Sequence, residues 1–151
     1  MTQIKDMALV FEKVIGSARQ VKILYDLLKH RKYPISHTAQ PTPKEHRIFV
    51  LNYPYRTWYL IKFGSSYIGS FYLLRDNSIG ISLSMHEESI LCDVLNFILQ
   101  KYKPLKEIKS LRAPYFHLNI SPENKQMILC LESIGAKKIQ LTYLLNSIKI
   151  Y

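Results

Sequence analysis

Residues 57–83 read TWYLIKFGSSYIGSFYLLRDNSIGISL, and this stretch decides the fold. Thr57 to Phe63 is rich in aromatic and β-branched residues, and Gly64-Ser65-Ser66 supplies a turn. Tyr67 to Leu74 is a second such run, Arg75-Asp76-Asn77 a second turn, and Ser78 to Leu83 a third run. Three short strands joined by short polar turns make an antiparallel meander.

Outward from the meander, the apolar period becomes helical. Upstream, Val21, Ile23, Leu24, Leu27 and Leu28 predict a helix from Ser17 to Arg31, ended before Pro34. Thr42-Pro43-Lys44-Glu45 predicts a capped helix start, with Thr42 and Glu45 forming a capping box, and that helix runs to Asn52. Residues 1–16 fit a strand or a helix equally. Downstream, Leu91, Val94, Leu95, Ile98 and Leu99 predict a helix from Met85 to Lys101, stopped by Pro104. Tyr115 to Ile120 reads as a strand. Ser121-Pro122 opens a further helix, and Gly135 closes it. Ile139 to Ile150 predicts one or two last strands. The order (β)-α-α-β-β-β-α-β-α-β implies an α/β (α+β) domain over residues 1–151, a mixed, mostly antiparallel sheet with helices on both faces.

Composition narrows the function classes. The chain has 151 residues, 48% of them hydrophobic, which suits one globular domain with a real core. No apolar run reaches the roughly 18 residues a membrane span needs, and the N-terminal residues do not read as a secretory signal. Cys92 and Cys130 lie in helical patterns and read as buried thiols of a cytoplasmic protein. The histidines show no metal-ligand spacing. The net charge of +10 attracts polyanions, coenzyme A and nucleotide-sugars among them. The basic run Lys101, Lys103, Lys106, Lys109 and Arg112 reads as a solvated linker or an anion-binding face. No zinc-finger, RNP or helix-turn-helix signature supports nucleic acid.

The same order is that of the GNAT superfamily of N-acyltransferases, and several segments resemble it. Leu118-Asn119-Ile120-Ser121-Pro122-Glu123-Asn124 and Leu131-Glu132-Ser133-Ile134-Gly135 are similar to its fifth strand and fourth helix. Ile35-Ser36-His37, Pro41 to His46, Pro54 to Ile61, Ile68-Gly69-Ser70 and Ile79-Gly80-Ile81 resemble a bacterial subgroup, some of whose members occur beside surface-sugar enzymes. The resemblance implies transfer of an acetyl group from acetyl-CoA to a small amine, an amino-sugar nucleotide being one candidate. It implies that the cofactor lies where the fourth and fifth strands splay, along Ile81, Ser82, Leu83, Ser84 and His86, with Asn119 and Asn124 nearby. His37, His46, Trp58 and Tyr59 fall on the acceptor side. Tyr72 is the remaining hydroxyl that could protonate the leaving thiolate.

Two positions depart from the family's pattern. Its phosphate-binding turn carries small residues because only these let phosphate oxygens reach backbone amides. Here His86-Glu87-Glu88-Ser89-Ile90-Leu91-Cys92 contains no glycine, and Ser84 and Glu87 have capping-box spacing. Leu131 stands where many relatives have the thiolate-protonating tyrosine. The expectation is weak acetyl-CoA binding. The alternatives are a GNAT-fold binding or assembly module and, third, a basic nucleic-acid-binding protein. A homodimer is an open expectation.

Overall fold

The computed structural model describes residues 8–34 and 39–150. His37 lies outside them. Five strands form one sheet in the order β1-β2-β3-β4-β5. They are β1 (Leu9–Lys13), β2 (Thr57–Phe63), β3 (Ser66–Leu73), β4 (Ser78–Leu83) and β5 (His117–Leu118). The first three pairings are antiparallel and the last is parallel. The meander thus has the predicted bounds to within a residue, and the ambiguous N-terminal segment is a strand.

Four helices cover the sheet: α1 (Ala18–Lys29), α2 (Pro43–Leu51), α3 (Glu88–Lys101) and α4 (Lys125–Ser133). Strand alternation sends Trp58 and Leu60 to one face, where they pack with Leu24 of α1 and Val50 of α2. Tyr59, Ile61, Phe71 and Ile79 go to the other face, against Ile90, Val94 and Ile98 of α3. Leu91 of α3 meets Met127 and Leu131 of α4 in a third cluster under Ile81, Leu83 and Leu118. Helices therefore lie on both faces. No helix among the described residues is long and apolar enough to cross a membrane.

Caps and turns fix these elements. The Thr42–Glu45 capping box forms in both directions, at 3.2 and 2.8 Å. Buried Gln20 accepts from the amides of Ile15 and Gly16 and donates to the Lys13 carbonyl, which sets the β1–α1 turn. Asn77 is fully buried with φ 70. Its amide nitrogen donates to the carbonyls of Leu105 and Ala113, and its oxygen accepts from the Leu105 amide. That clamp carries the α3–β5 linker to the β3–β4 turn and so positions β5.

Three expectations need correction. First, α3 begins at Glu88 rather than Met85, and no side chain caps it. The Ser84 hydroxyl donates instead to the Ile68 carbonyl (3.0 Å), so the Ser84–Glu87 capping box is not made. Second, α4 begins at Lys125 rather than Ser121, because Asn124 is its N-cap. Third, Ile139 to Ile150 forms no strand. A period-2 pattern needs a neighbouring ladder, and every residue from Glu132 to Ile150 is exposed, off the sheet.

Candidate functional site

The parallel pairing of β4 with β5 stops at Ile79↔Leu118. Beyond that pair the two strands part, and the backbone direction of β4 follows from its bonds. The Leu74 amide donates to the Ser78 carbonyl and the Ser84 amide to the Ile68 carbonyl, so Ser78, Gly80, Ser82 and Ser84 address β3. The Asn77 carbonyl accepts from the His117 amide, so Asn77, Ile79, Ile81 and Leu83 address β5. The amides and carbonyls of Ile81 and Leu83 therefore face the opening after β5 has left. An extended ligand with amide groups could add there as a short strand.

The opening leads to the N-terminus of α3. The amides of Glu88, Ser89 and Ile90 precede the first intrahelical bond, Leu91 amide to Glu87 carbonyl (3.1 Å), and carry no side-chain cap. Uncapped first-turn amides and the helix dipole form an anion site by geometry. Two carboxylates flank it. Glu88 is drawn toward α4, where Ser133 donates to it at 2.8 Å. Gln126 of α4 donates to the His86 carbonyl at 2.9 Å. These two bonds latch the 84–88 turn to α4. Nδ1 of His86 and Nδ1 of His117 are buried without a partner among the described residues.

Tyr72 stands opposite Gly80. A Cβ at Gly80 would lie 2.1 Å from Cζ of Tyr72, so the ring crosses β4 at the one residue with no side chain to obstruct it. This carries the hydroxyl end of the phenol over β4 on the α1/α2 face. Tyr55 stacks on the ring, centroids 4.0 Å apart and planes 7° apart. Burial raises the Tyr72 phenol above its ordinary value, with the Arg31 charge opposing. It is protonated at neutral pH.

On the same face, a groove of about 370 Å³ runs between α1 and the meander. It is lined by Ile23, Asp26, Leu27, His30, Tyr67 and Ser84. Ile23, Asp26 and Leu27 of α1 and its C-cap residue His30 are spaced i, i+3, i+4, i+7, one face of the helix. Arg19 bonds both Glu12 (2.6 Å) and the Tyr67 hydroxyl (2.5 Å), which holds the Tyr67 wall in place.

The structure sorts the expected residues. Ile81 and Leu83 turn their backbone groups to the opening, and Ser82 and Ser84 address β3. His86 follows in the turn before α3, Tyr72 crosses β4 at Gly80, and Asn119 is exposed just after β5. The Asn124 side-chain oxygen accepts from the Met127 amide and caps α4. Trp58 is on the α1/α2 side yet buried, 7% exposed, among Phe49, Tyr53 and Tyr55. Tyr59 is on the opposite face, buried, with its hydroxyl 2.7 Å from that of Tyr102, and is corrected to a core residue. His46 is also corrected: it is 5% exposed, meets the Val21 carbonyl at 3.1 Å, and joins α2 to α1. Burial lowers its pKa and keeps it neutral. Asp26, His30 and Tyr55 were not anticipated. The i, i+4 spacing of Asp26 and His30, on the side of α1 away from Leu24, is the signal that could have found the first two.

No family model matches this chain, and no curated protein matches it. Solved structures do. A domain from Methanocaldococcus jannaschii DSM 2661 is similar at TM-score 0.65 and 18% identity, over 89% of this chain and 92% of that one. The aminoglycoside N-acetyltransferase AAC(6')-Iy, in complex with CoA, is similar at TM-score 0.59 and 9% identity, over 97% and 99%. The aminoglycoside acetyltransferase meta-AAC0020 from an uncultured soil metagenomic sample, in complex with sisomicin, is similar at TM-score 0.54 and 9% identity, over 97% and 100%. At these identities the likeness shows the fold, which is the GNAT-like acyltransferase fold.

Proposed function

We propose that the protein is an acetyl-CoA-dependent N-acetyltransferase acting on a small amine. The observation that carries this is the parting of β4 from β5. It leaves the backbone groups of Ile81 and Leu83 free to pair with a pantetheine arm, on a line that ends at the uncapped amides of α3. The likeness to an aminoglycoside N-acetyltransferase solved in complex with CoA supports a cofactor of that kind.

The α1 groove would hold the acceptor. Asp26 offers a carboxylate to an ammonium group, Tyr67 a flat apolar face to a sugar ring, and the +10 surface attraction to phosphates. An amino-sugar nucleotide has all three features. In the reaction, the neutral amine nitrogen attacks the thioester carbonyl carbon, the carbon–sulfur bond breaks, and the amine gives its proton to water. The thiolate takes a proton from the Tyr72 hydroxyl or from water.

Calorimetric titration with acetyl-CoA tests the cofactor half, with a Kd in the micromolar range expected. Acetyl transfer to a panel of amines and amino-sugar nucleotides tests the acceptor half. A second reading, a binding module on the same fold, is favoured by Leu131 packing into the α3–α4 core where a phenol would be needed. Absence of acetyl-CoA binding at millimolar concentration would establish that reading over the first.

A further inference from the structure

The linker between α3 and β5 folds into a fixed turn that the proposed reaction does not use. The Leu111 amide donates to the Ile108 carbonyl at 2.9 Å, and Ser110 takes φ 68. Ile108 and Arg112 exchange backbone bonds at 2.9 and 2.8 Å. The Arg112 guanidinium closes the base, donating to the carbonyls of Lys106 (2.7 Å) and Arg75 (3.1 Å). The Asn77 clamp holds Leu105 and Ala113 on either side. This held turn presents aliphatic side chains to water: Leu111 is 78% exposed and Ile108 45%. Lys103, Lys106 and Lys109 are exposed along the same linker, with Glu107 its one carboxylate.

We infer that this turn docks on an anionic lipid bilayer, with Ile108 and Leu111 entering the acyl boundary and Lys103, Lys106 and Lys109 meeting the lipid phosphates. Attachment of this kind needs no spanning helix. It needs an apolar tip that lodges about 5–10 Å deep and cations that face acidic headgroups. Each lysine near such a surface strengthens binding by about fivefold. A lysine stem is itself apolar, so the ammonium can sit at phosphate level while its base lies deeper.

The pairing of charge with aliphatic side chains selects the partner. A nucleic acid would answer the lysines but would leave Ile108 and Leu111 in water. Its bases stack on aromatic rings, and residues 106–112 contain none. A bilayer with acidic headgroups answers both features at once. The turn is tied to Arg75 and Asn77 at the start of β4, whereas the opening beside Ile81 and Leu83 lies at the other end of that strand. At about 3.3 Å per residue the two are on the order of 20 Å apart, so a docked bilayer leaves the opening in water.

Vesicles of mixed phosphatidylglycerol and phosphatidylcholine should carry the full chain down in the centrifuge at about 0.1 M salt, and vesicles of phosphatidylcholine alone should not. Lys103→Gln with Lys106→Gln and Lys109→Gln should weaken that binding by about 10²-fold. Ile108→Ser with Leu111→Ser should weaken it by about tenfold or more with the charge unchanged. Both variants should keep the far-UV circular dichroism of the wild type, since every replaced side chain is exposed. Leu111→Trp adds a second tryptophan to buried Trp58, and its emission should shift to the blue on the anionic vesicles. Excess acetyl-CoA should release no protein from them, whether or not it binds at the opening. The proposal is overturned by a wild-type chain that stays in solution, by binding indifferent to the glutamines or to the serines, or by a Leu111→Trp chain with no blue shift. Release by acetyl-CoA would also overturn it, as would tighter binding to a single-stranded RNA oligonucleotide that the serines leave unchanged.

Discussion

Gly80 and Tyr72 illustrate how one missing side chain positions another. Any Cβ at residue 80 meets the Tyr72 ring, so Gly80→Ala must push the phenol off β4 and break its stack on Tyr55. If Tyr72 protonates the thiolate, both Gly80→Ala and Tyr72→Phe should lower kcat by about 10²-fold, the smaller end of what a positioned acid supplies, because water can replace it. Equal kcat in wild type and Tyr72→Phe, measured by thiol release, would remove Tyr72 from the chemistry. His46 supports a different expectation. Its folded-state pKa lies below the ordinary value of 6.5, so the unfolded chain binds the proton first as pH falls. Stability contributed by neutral His46 is present above about pH 6.5 and is lost progressively below it. Thermal melts from pH 7.5 to 5 should show a steeper decline for wild type than for His46→Gln. Sequence could flag Tyr72 and His46 as polar residues in apolar surroundings. It could not tell which had a neighbour's carbonyl and which had a bare glycine opposite, because those partners lie 8 and 25 positions away.

At the scale of elements, the proposed function makes the strand-to-helix unit β4–α3 the part that should decide affinity for acetyl-CoA. The meander was legible because alternation and turn residues are local signals, and so was the capped start of α2. The start of α3 was misplaced by three residues because Ser84 had two acceptable partners, its own helix or the Ile68 carbonyl, and tertiary pairing won. The last strands were misread for a related reason: alternation reports a segment able to pair, not the presence of an edge. With α3 uncapped, the obstacle to an anion is charge rather than occupied amides. Glu87→Gln removes one carboxylate from the helix start and leaves the Ser133–Glu88 latch untouched. It should tighten acetyl-CoA binding several-fold, since a unit charge in a wet site acts with about 1 kcal/mol. Glu87→Lys should tighten it further. Unchanged calorimetric Kd values in both variants would show that the diphosphate does not sit at α3.

For the molecule as a whole, the net charge of +10 predicts that acetyl-CoA affinity depends on ionic strength. The Debye length falls from about 14 Å at 0.05 M salt to about 4 Å at 0.5 M, so Kd should rise several-fold across that range. A flat salt series would place the anionic end of the ligand away from the basic surface. The Asn77 clamp governs the order of events when the chain folds. The meander's hairpins close within a few residues, whereas the clamp's bonds reach across 28 and 36 residues and wait for α3 and the linker to return. Asn77→Ala should cost about 3 kcal/mol, with unfolding accelerated and the refolding rate in stopped-flow mixing nearly unchanged. If refolding starts in residues 57–83 and finishes at β5, a nascent chain released before Ala113 would carry its hairpins into solution with their β4 edge uncovered, ready to pair with another unfinished copy.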